Sequence, residues 1–167
     1  HRYYPITFEL LTKLYHHLLN KIDDSKQMII MGDSAGGQIA LAFVQQLKKD
    51  SEPQPSHIVL ISPVLDATFS NPEARKYEKE DPMLGIEGSK YLVNLWAGDA
   101  PLDHYKLSPM YGDLEDLGHI TITTGTKETL YPDAVKFSTM LNEKGINHEF
   151  IPGYSLFHIY PIFPIPE

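Results

Sequence analysis

An α/β fold built on a parallel sheet is what this sequence predicts, and three observations predict it. Four short runs read as buried strands, amphipathic helical patterns lie between them, and the strand spacing fits strand–helix–strand units. The chain opens on a helix: Pro5 suits a first-turn position, and Phe8, Leu11, Tyr15, Leu18 and Leu19 form an apolar stripe. The first strand is Met28–Met31. A glycine-rich turn follows, then a helix carrying Ile39, Ala40, Phe43, Val44 and Leu47. That helix ends in Lys48 and Lys49, which suit the negative end of a helix dipole. The second strand is Ile58–Ile61 and the third Ile120–Thr124. A helix over Pro132–Lys144 then presents Val135, Phe137, Met140 and Leu141, with Gly145 as its C-terminal cap. The fourth strand, His148–Ile151, is weaker because it carries His148 and Glu149. The first three are continuous apolar or β-branched runs, which predicts strands covered on both faces.

Strand starts at 28, 58, 120 and 148 leave outer gaps of 30 and 28 residues, each fitting one strand–helix–strand unit. The middle gap of 62 is about 30 residues too long, so residues 68–107 read as an insertion. It holds a charged stretch, Glu73–Asp81, read as solvated surface, and a helix over Ile86–Ala97 containing Trp96. From Pro161 three prolines in six residues exclude regular helix and central strand.

Composition narrows the function classes. The 167 residues make one domain's worth of chain, residues 1–167 as a single unit. Cysteine is absent, which excludes disulfides, thiolate metal sites and a cysteine nucleophile. The net charge is −8 and the only arginines are Arg2 and Arg75, which argues against nucleic-acid binding. Apolar runs fall far short of the roughly 20 residues that span a bilayer. No targeting segment is visible, and the expectation is a cytoplasmic protein. The eight histidines show no compact metal-ligand spacing, so neither metal nor organic cofactor is expected.

The strongest chemical signal is Gly32-Asp33-Ser34-Ala35-Gly36-Gly37, between a strand and a helix. That is the setting a G-x-S-x-G nucleophile elbow needs. A serine on a tight strand-to-helix turn projects its hydroxyl from the sheet edge. Glycines two before and two after remove side chains that would collide there. The helix N-terminus then directs N–H groups toward developing negative charge. The bland alternative is a glycine-rich turn whose serine merely caps the helix.

A serine nucleophile needs a base, and the base an orienting acid. Glu128 follows the third strand and His158 the fourth, beyond the carboxyl ends where open α/β sheets place their sites. Rival acids are Asp133, in a predicted helix, and Asp66, after an earlier strand. Rival bases are weaker: His16 and His17 lie in the first helix, His57 and His119 precede strands, and His104 is in the insertion. Chymotrypsin-like proteases share G-D-S-G-G letters, but Ala35 interrupts that string and the histidine here comes last.

With these residues in place, the chain resembles the hormone-sensitive-lipase-like branch of the α/β-hydrolases, which includes acetyl esterases and arylacetamide-deacetylase-like carboxylesterases. The matching pieces run in family order: the elbow, Ser62-Pro63-Val64-Leu65-Asp66, Ser108-Pro109-Met110-Tyr111, Gly125 through Asp133, and Gly153 through Tyr160. The resemblance implies Ser34 as nucleophile, Glu128 as triad acid, His158 as base, residues 68–107 as part of a helical cap, and small, short-chain esters as substrates. Two features depart from the pattern. The family acid is more often Asp, and the glycine-rich oxyanion loop that should precede the elbow has no counterpart, since no glycine precedes Gly32. The expectation is therefore the C-terminal part of such a fold, with early strands missing and activity impaired in this chain alone. A hydrolase-fold binding module, a serine peptidase or amidase on the same scaffold, and a structural half-domain are the competing readings.

Overall fold

The computed structural model describes residues 4–164, so the end of the proline-rich tail lies outside the described residues. Its centre is a four-stranded sheet, entirely parallel, in the order β1 (Ile29–Asp33), β2 (His57–Ile61), β3 (His119–Gly125), β4 (His148–Gly153). The helices are α1 (Tyr4–Leu19), α2 (Ala35–Lys49), α3 (Ala74–Tyr77), α4 (Ile86–Ala97) and α5 (Tyr131–Glu143). All four expected strands are present. Three run further at their carboxyl ends, because Asp33, Gly125 and Gly153 keep ladder register after the apolar run has stopped. The expected helix over Ile86–Ala97 is found at those bounds.

The expectation of strands covered on both faces is met only in part: on the face opposite the main core Ile61 and Thr123 are buried, while the amino-terminal stretches of the strands are open. The main core joins Ala40, Leu41 and Val44 of α2 and Ala134, Phe137 and Leu141 of α5 to Ile58, Leu60, Ile120 and Ile122. Those strand residues share one parity and therefore one face. The opposite face carries the row Met31–Val59–Thr121–Glu149, and Ile29 and Met31 are 59% and 61% exposed. The reason is topological. Strand order advances across the sheet without reversing, and crossovers that run in one direction put the helices of the β1–β2 and β3–β4 connections, α2 and α5, on the same face.

The first helix packs on α2 rather than on the sheet's open face: Phe8 and Tyr15 meet Ala42, Phe43 and Leu47. Only part of its expected stripe is buried, and Leu18 stays 41% exposed. Tyr15 donates its hydroxyl to the Pro53 carbonyl at 2.6 Å, and burial followed by the nearby Glu52 charge pushes that phenol up to about 12. Between β2 and β3 run α3 and α4. Ala74 and Ile86 pack with Val64, Phe69 and Leu130, anchoring this segment beside the carboxyl ends of the strands.

Candidate active site

Ser34 stands between β1 and α2 with φ 52° and ψ −118°, a strained conformation for a residue with a Cβ. Backbone contacts hold it there. Its N–H donates to the Ile61 carbonyl at 2.8 Å, and its carbonyl accepts from Val64 N–H at 3.1 Å. The hydroxyl makes no capping bond to α2, which removes the reading of Ser34 as a simple cap. Ala35 and Gly36 open α2, so their amides belong to the first turn and lack intrahelical acceptors.

The glycines divide differently from expectation. A Cβ on Gly32 would stand 2.2 Å from the Gly36 carbonyl oxygen, so the turn requires glycine there. A Cβ on Gly36 would meet nothing nearer than Asp33 Oδ1 at 4.0 Å, so no collision forbids a side chain. Gly37 is the second tight position, 2.8 Å from Pro63 Cβ. Asp33 itself is exposed at the strand end.

Glu128 and His158 come together across the carboxyl ends of β3 and β4. Glu128 Oε2 lies 3.0 Å from His158 Nδ1, with side chains 0% and 3% exposed. The other carboxylate oxygen accepts from the buried Thr124 hydroxyl. The two loops are laced backbone to backbone: Thr126 N–H donates to the Gly153 carbonyl and Lys127 N–H to Leu156, both at 3.0 Å. A Cβ on Gly125 would stand 2.4 Å from the Leu156 carbonyl oxygen, so the approach depends on that glycine. Ile159, at φ 52°, donates its N–H to the Ser62 hydroxyl at 2.9 Å, and Thr123 donates its hydroxyl to Tyr160 at 2.8 Å. Ser62, Thr124, Thr123 and Tyr160 thus brace the pair, and sequence reasoning missed them as supports. Ser62 and Thr123 bond residues 97 and 37 positions away, Thr124 stands only four from Glu128, and a serine at φ 46°, as Ser62 is, leaves no compositional trace.

The rival candidates are placed elsewhere. His16 bonds Glu52 on the surface, and His57 and His119 pair their rings at the amino ends of β2 and β3. His104 stacks near Tyr4 and Tyr105; burial, then Lys106 and Lys49, holds its imidazole below the usual range. Asp66 is a buried hub. Burial pushes it up, but hydrogen bonds from Thr68, Tyr111 and Ser70 outweigh that and hold it below the usual carboxylate range. Asp133 is held above that range, chiefly by burial, against the pull of its 2.8 Å bond from Asn71. Neither acid bonds a histidine.

A cavity of about 250 Å³ opens beside the elbow, lined by Ala35, Gln38, Ile39, Leu92, Val93 and Trp96. Its walls are apolar: the Gln38 amide is engaged with the Leu107 carbonyl, and α4 supplies the outer wall. A larger hollow of about 530 Å³ lies at the other end of α2, around Lys48 and Lys49, and touches none of Ser34, Glu128 or His158. Among the described residues no group of three His, Asp or Glu side chains could hold a metal ion, and no helix is long and apolar enough to cross a membrane.

Residues 2–162 match a family described as alpha/beta hydrolase fold. A curated esterase from Acinetobacter venetianus is 32% identical over 149 residues, which is 88% of this chain and 49% of that protein. An acetyl-hydrolase from Streptomyces hygroscopicus is 29% identical over 170 residues, 96% of this chain and 55% of that protein. Among solved structures, a hormone-sensitive lipase from a metagenome library is 25% identical with a TM-score of 0.91, covering 97% of this chain and 56% of that one. The chain spans about half the length of the curated relatives it matches.

Proposed function

We propose that the enzyme carrying this chain is a serine carboxylic-ester hydrolase, and the premise is kinship: the chain belongs to the α/β-hydrolase fold family, in its hormone-sensitive-lipase-like branch. The observation that carries the proposal is the buried Glu128–His158 pair, set beyond the same strand ends as a strained Ser34 with no capping bond. His158 takes the Ser34 proton as the oxygen attacks the ester carbonyl. Glu128, acting at Nδ1, fixes the tautomer that leaves Nε2 free to accept, and stabilises the imidazolium. The tetrahedral oxyanion is held by the Ala35 N–H. His158 returns its proton to the departing alcohol, and water activated by the same imidazole releases the acid from the acyl-serine. Residues 68–107 act as a cap-type insertion whose α4 closes the acyl cavity. Its roughly 250 Å³ favours small acyl groups, below the usual range of drug-sized pockets.

The test is hydrolysis of p-nitrophenyl acetate, butyrate and decanoate by the full-length enzyme and its Ser34→Ala variant. The expected result is turnover falling with acyl length and dropping about 10⁶-fold in the variant. Turnover unchanged by Ser34→Ala overturns the proposal. Because the chain spans about half the length of its curated relatives, the 167 residues alone are expected to be at least about 10²–10³ slower than the full-length enzyme.

A further inference from the structure

In the charged stretch between β2 and β3, Asp81 is a half-buried carboxylate that reaches a loop far along the chain. Asp81 Oδ2 accepts from the Thr129 N–H at 2.8 Å and from the Thr129 hydroxyl at 3.1 Å. Its Oδ1 accepts from the N–H groups of Met83 and Leu84 at 2.9 and 3.0 Å. Four donors therefore converge on one carboxylate, and among the described residues no lysine or arginine pairs with it.

The partner is what matters. Thr129 is 48 positions away from Asp81 and immediately follows Glu128. It is buried, and without Asp81 its N–H would be a buried donor lacking an acceptor. On the other side of Glu128, Thr126 and Lys127 are fastened to the loop that carries His158. Glu128 thus sits between two clamps, one on the base loop and one on Asp81. Just beyond Leu84, α4 begins, and α4 walls the cavity beside Ser34.

We infer that Asp81 is a positioning residue for the Glu128–His158 pair, acting through Thr129 and fastening the 68–107 segment to the acid loop. This rests on the reading of Glu128 as the acid of the site. Misplacing a reacting group by about 1 Å can cost on the order of 10²-fold in rate, so the loop's anchoring is a rate-determining matter as well as a structural one.

The experiment compares Asp81→Ala, Asp81→Asn and Glu78→Ala in the full-length enzyme. Glu78 lies in the same stretch and accepts from Ile86 N–H at the start of α4 at 2.9 Å, rather than from the acid loop as Asp81 does. Two readouts are taken: the downfield proton resonance of His158 Nδ1–H by NMR, and kcat and KM on p-nitrophenyl acetate. Asp81→Ala should lose or shift the resonance and lower kcat about 10- to 100-fold with KM within about twofold. Asp81→Asn keeps the shape and half the acceptor capacity, and should do the same to a smaller degree; it decides the matter if the alanine variant does not fold. Glu78→Ala should lower the melting temperature and leave the resonance in place. An unshifted resonance in both Asp81 variants, or an equal shift in Glu78→Ala, overturns the inference. If the enzyme shows no Ser34-dependent turnover, the esterase reading fails, and the resonance alone still decides the role of Asp81.

Discussion

The two halves of the site are held by different means. Glu128 and His158 are fully buried and braced by side chains from several segments: Thr124, Ser62, and the lacing of two loops. Ser34 sits at the end of β1, a strand that among the described residues pairs on one side only and alternates between exposed and half-buried residues. Its position is set by backbone contacts and by the absence of side chains at Gly32 and Gly37. The Glu128–His158 half is a network that tolerates graded damage. The Ser34 half is a steric arrangement that either forms or does not.

The largest expected effect tests the network at its centre. Glu128→Gln keeps the shape but presents an amide to His158, favouring the wrong tautomer, and kcat should fall about 10⁴-fold while the melting temperature changes little. Next comes the steric half. Gly32→Ala should destabilise the fold by about 3 kcal/mol in urea melts, since its Cβ would collide with backbone that cannot move aside. Ser62→Ala leaves the Ile159 N–H without its acceptor and should cost about 1–2 kcal/mol, with a partial loss of activity from the loosened His158 loop. Gly36→Ala sharpens the contrast in the other direction. A methyl fits there in a helix, so stability should rise by about 0.5 kcal/mol; a loss comparable to that of Gly32→Ala would mean the turn is tighter than it looks.

The smallest effect concerns pH. Asp133 has its folded value raised, so the native state holds more protons than the unfolded chain between the ordinary carboxylate range and that raised value. Its contribution is fully present below the ordinary range and is lost as pH rises through the raised one. Asp66 runs the opposite way, with stability present above the ordinary range and lost as pH falls through its lowered value. Denaturation of Asp133→Asn from pH 2 to 8 should show the first of these slopes removed and the second, below about pH 4, intact.

Much of this arrangement was legible in the sequence, and the exceptions share a cause. The tight turn at Ser34 and the segments that carry Glu128 and His158 can be read because each follows a recognisable strand in chain order. The helix Ile86–Ala97 can be read because its periodicity is local. What could not be read depends on how segments lie beside one another. A continuous apolar strand looks the same whether one face or two are covered, and strand order decides which. The stretch Glu73–Asp81 is mostly solvated, as with Arg75 and Glu87, but Asp81 finds its donors on a loop far along the chain. Gly36 looks required because the motif contains it, and only the turn's geometry separates it from Gly32.

The unreversed strand order also sets how far the chain must reach to close each ladder. The ladders β1–β2 and β3–β4 each close over a single local crossover, Ile29 opposite His57 and Ile120 opposite His148. The β2–β3 ladder, His57 opposite His119, closes over roughly twice that separation, which costs only about 0.6 kcal/mol more in chain entropy. Ser34 follows a strand of the first pair and Glu128 and His158 follow the strands of the second, so it is the pairing of β2 with β3 that brings all three residues to one edge of the sheet.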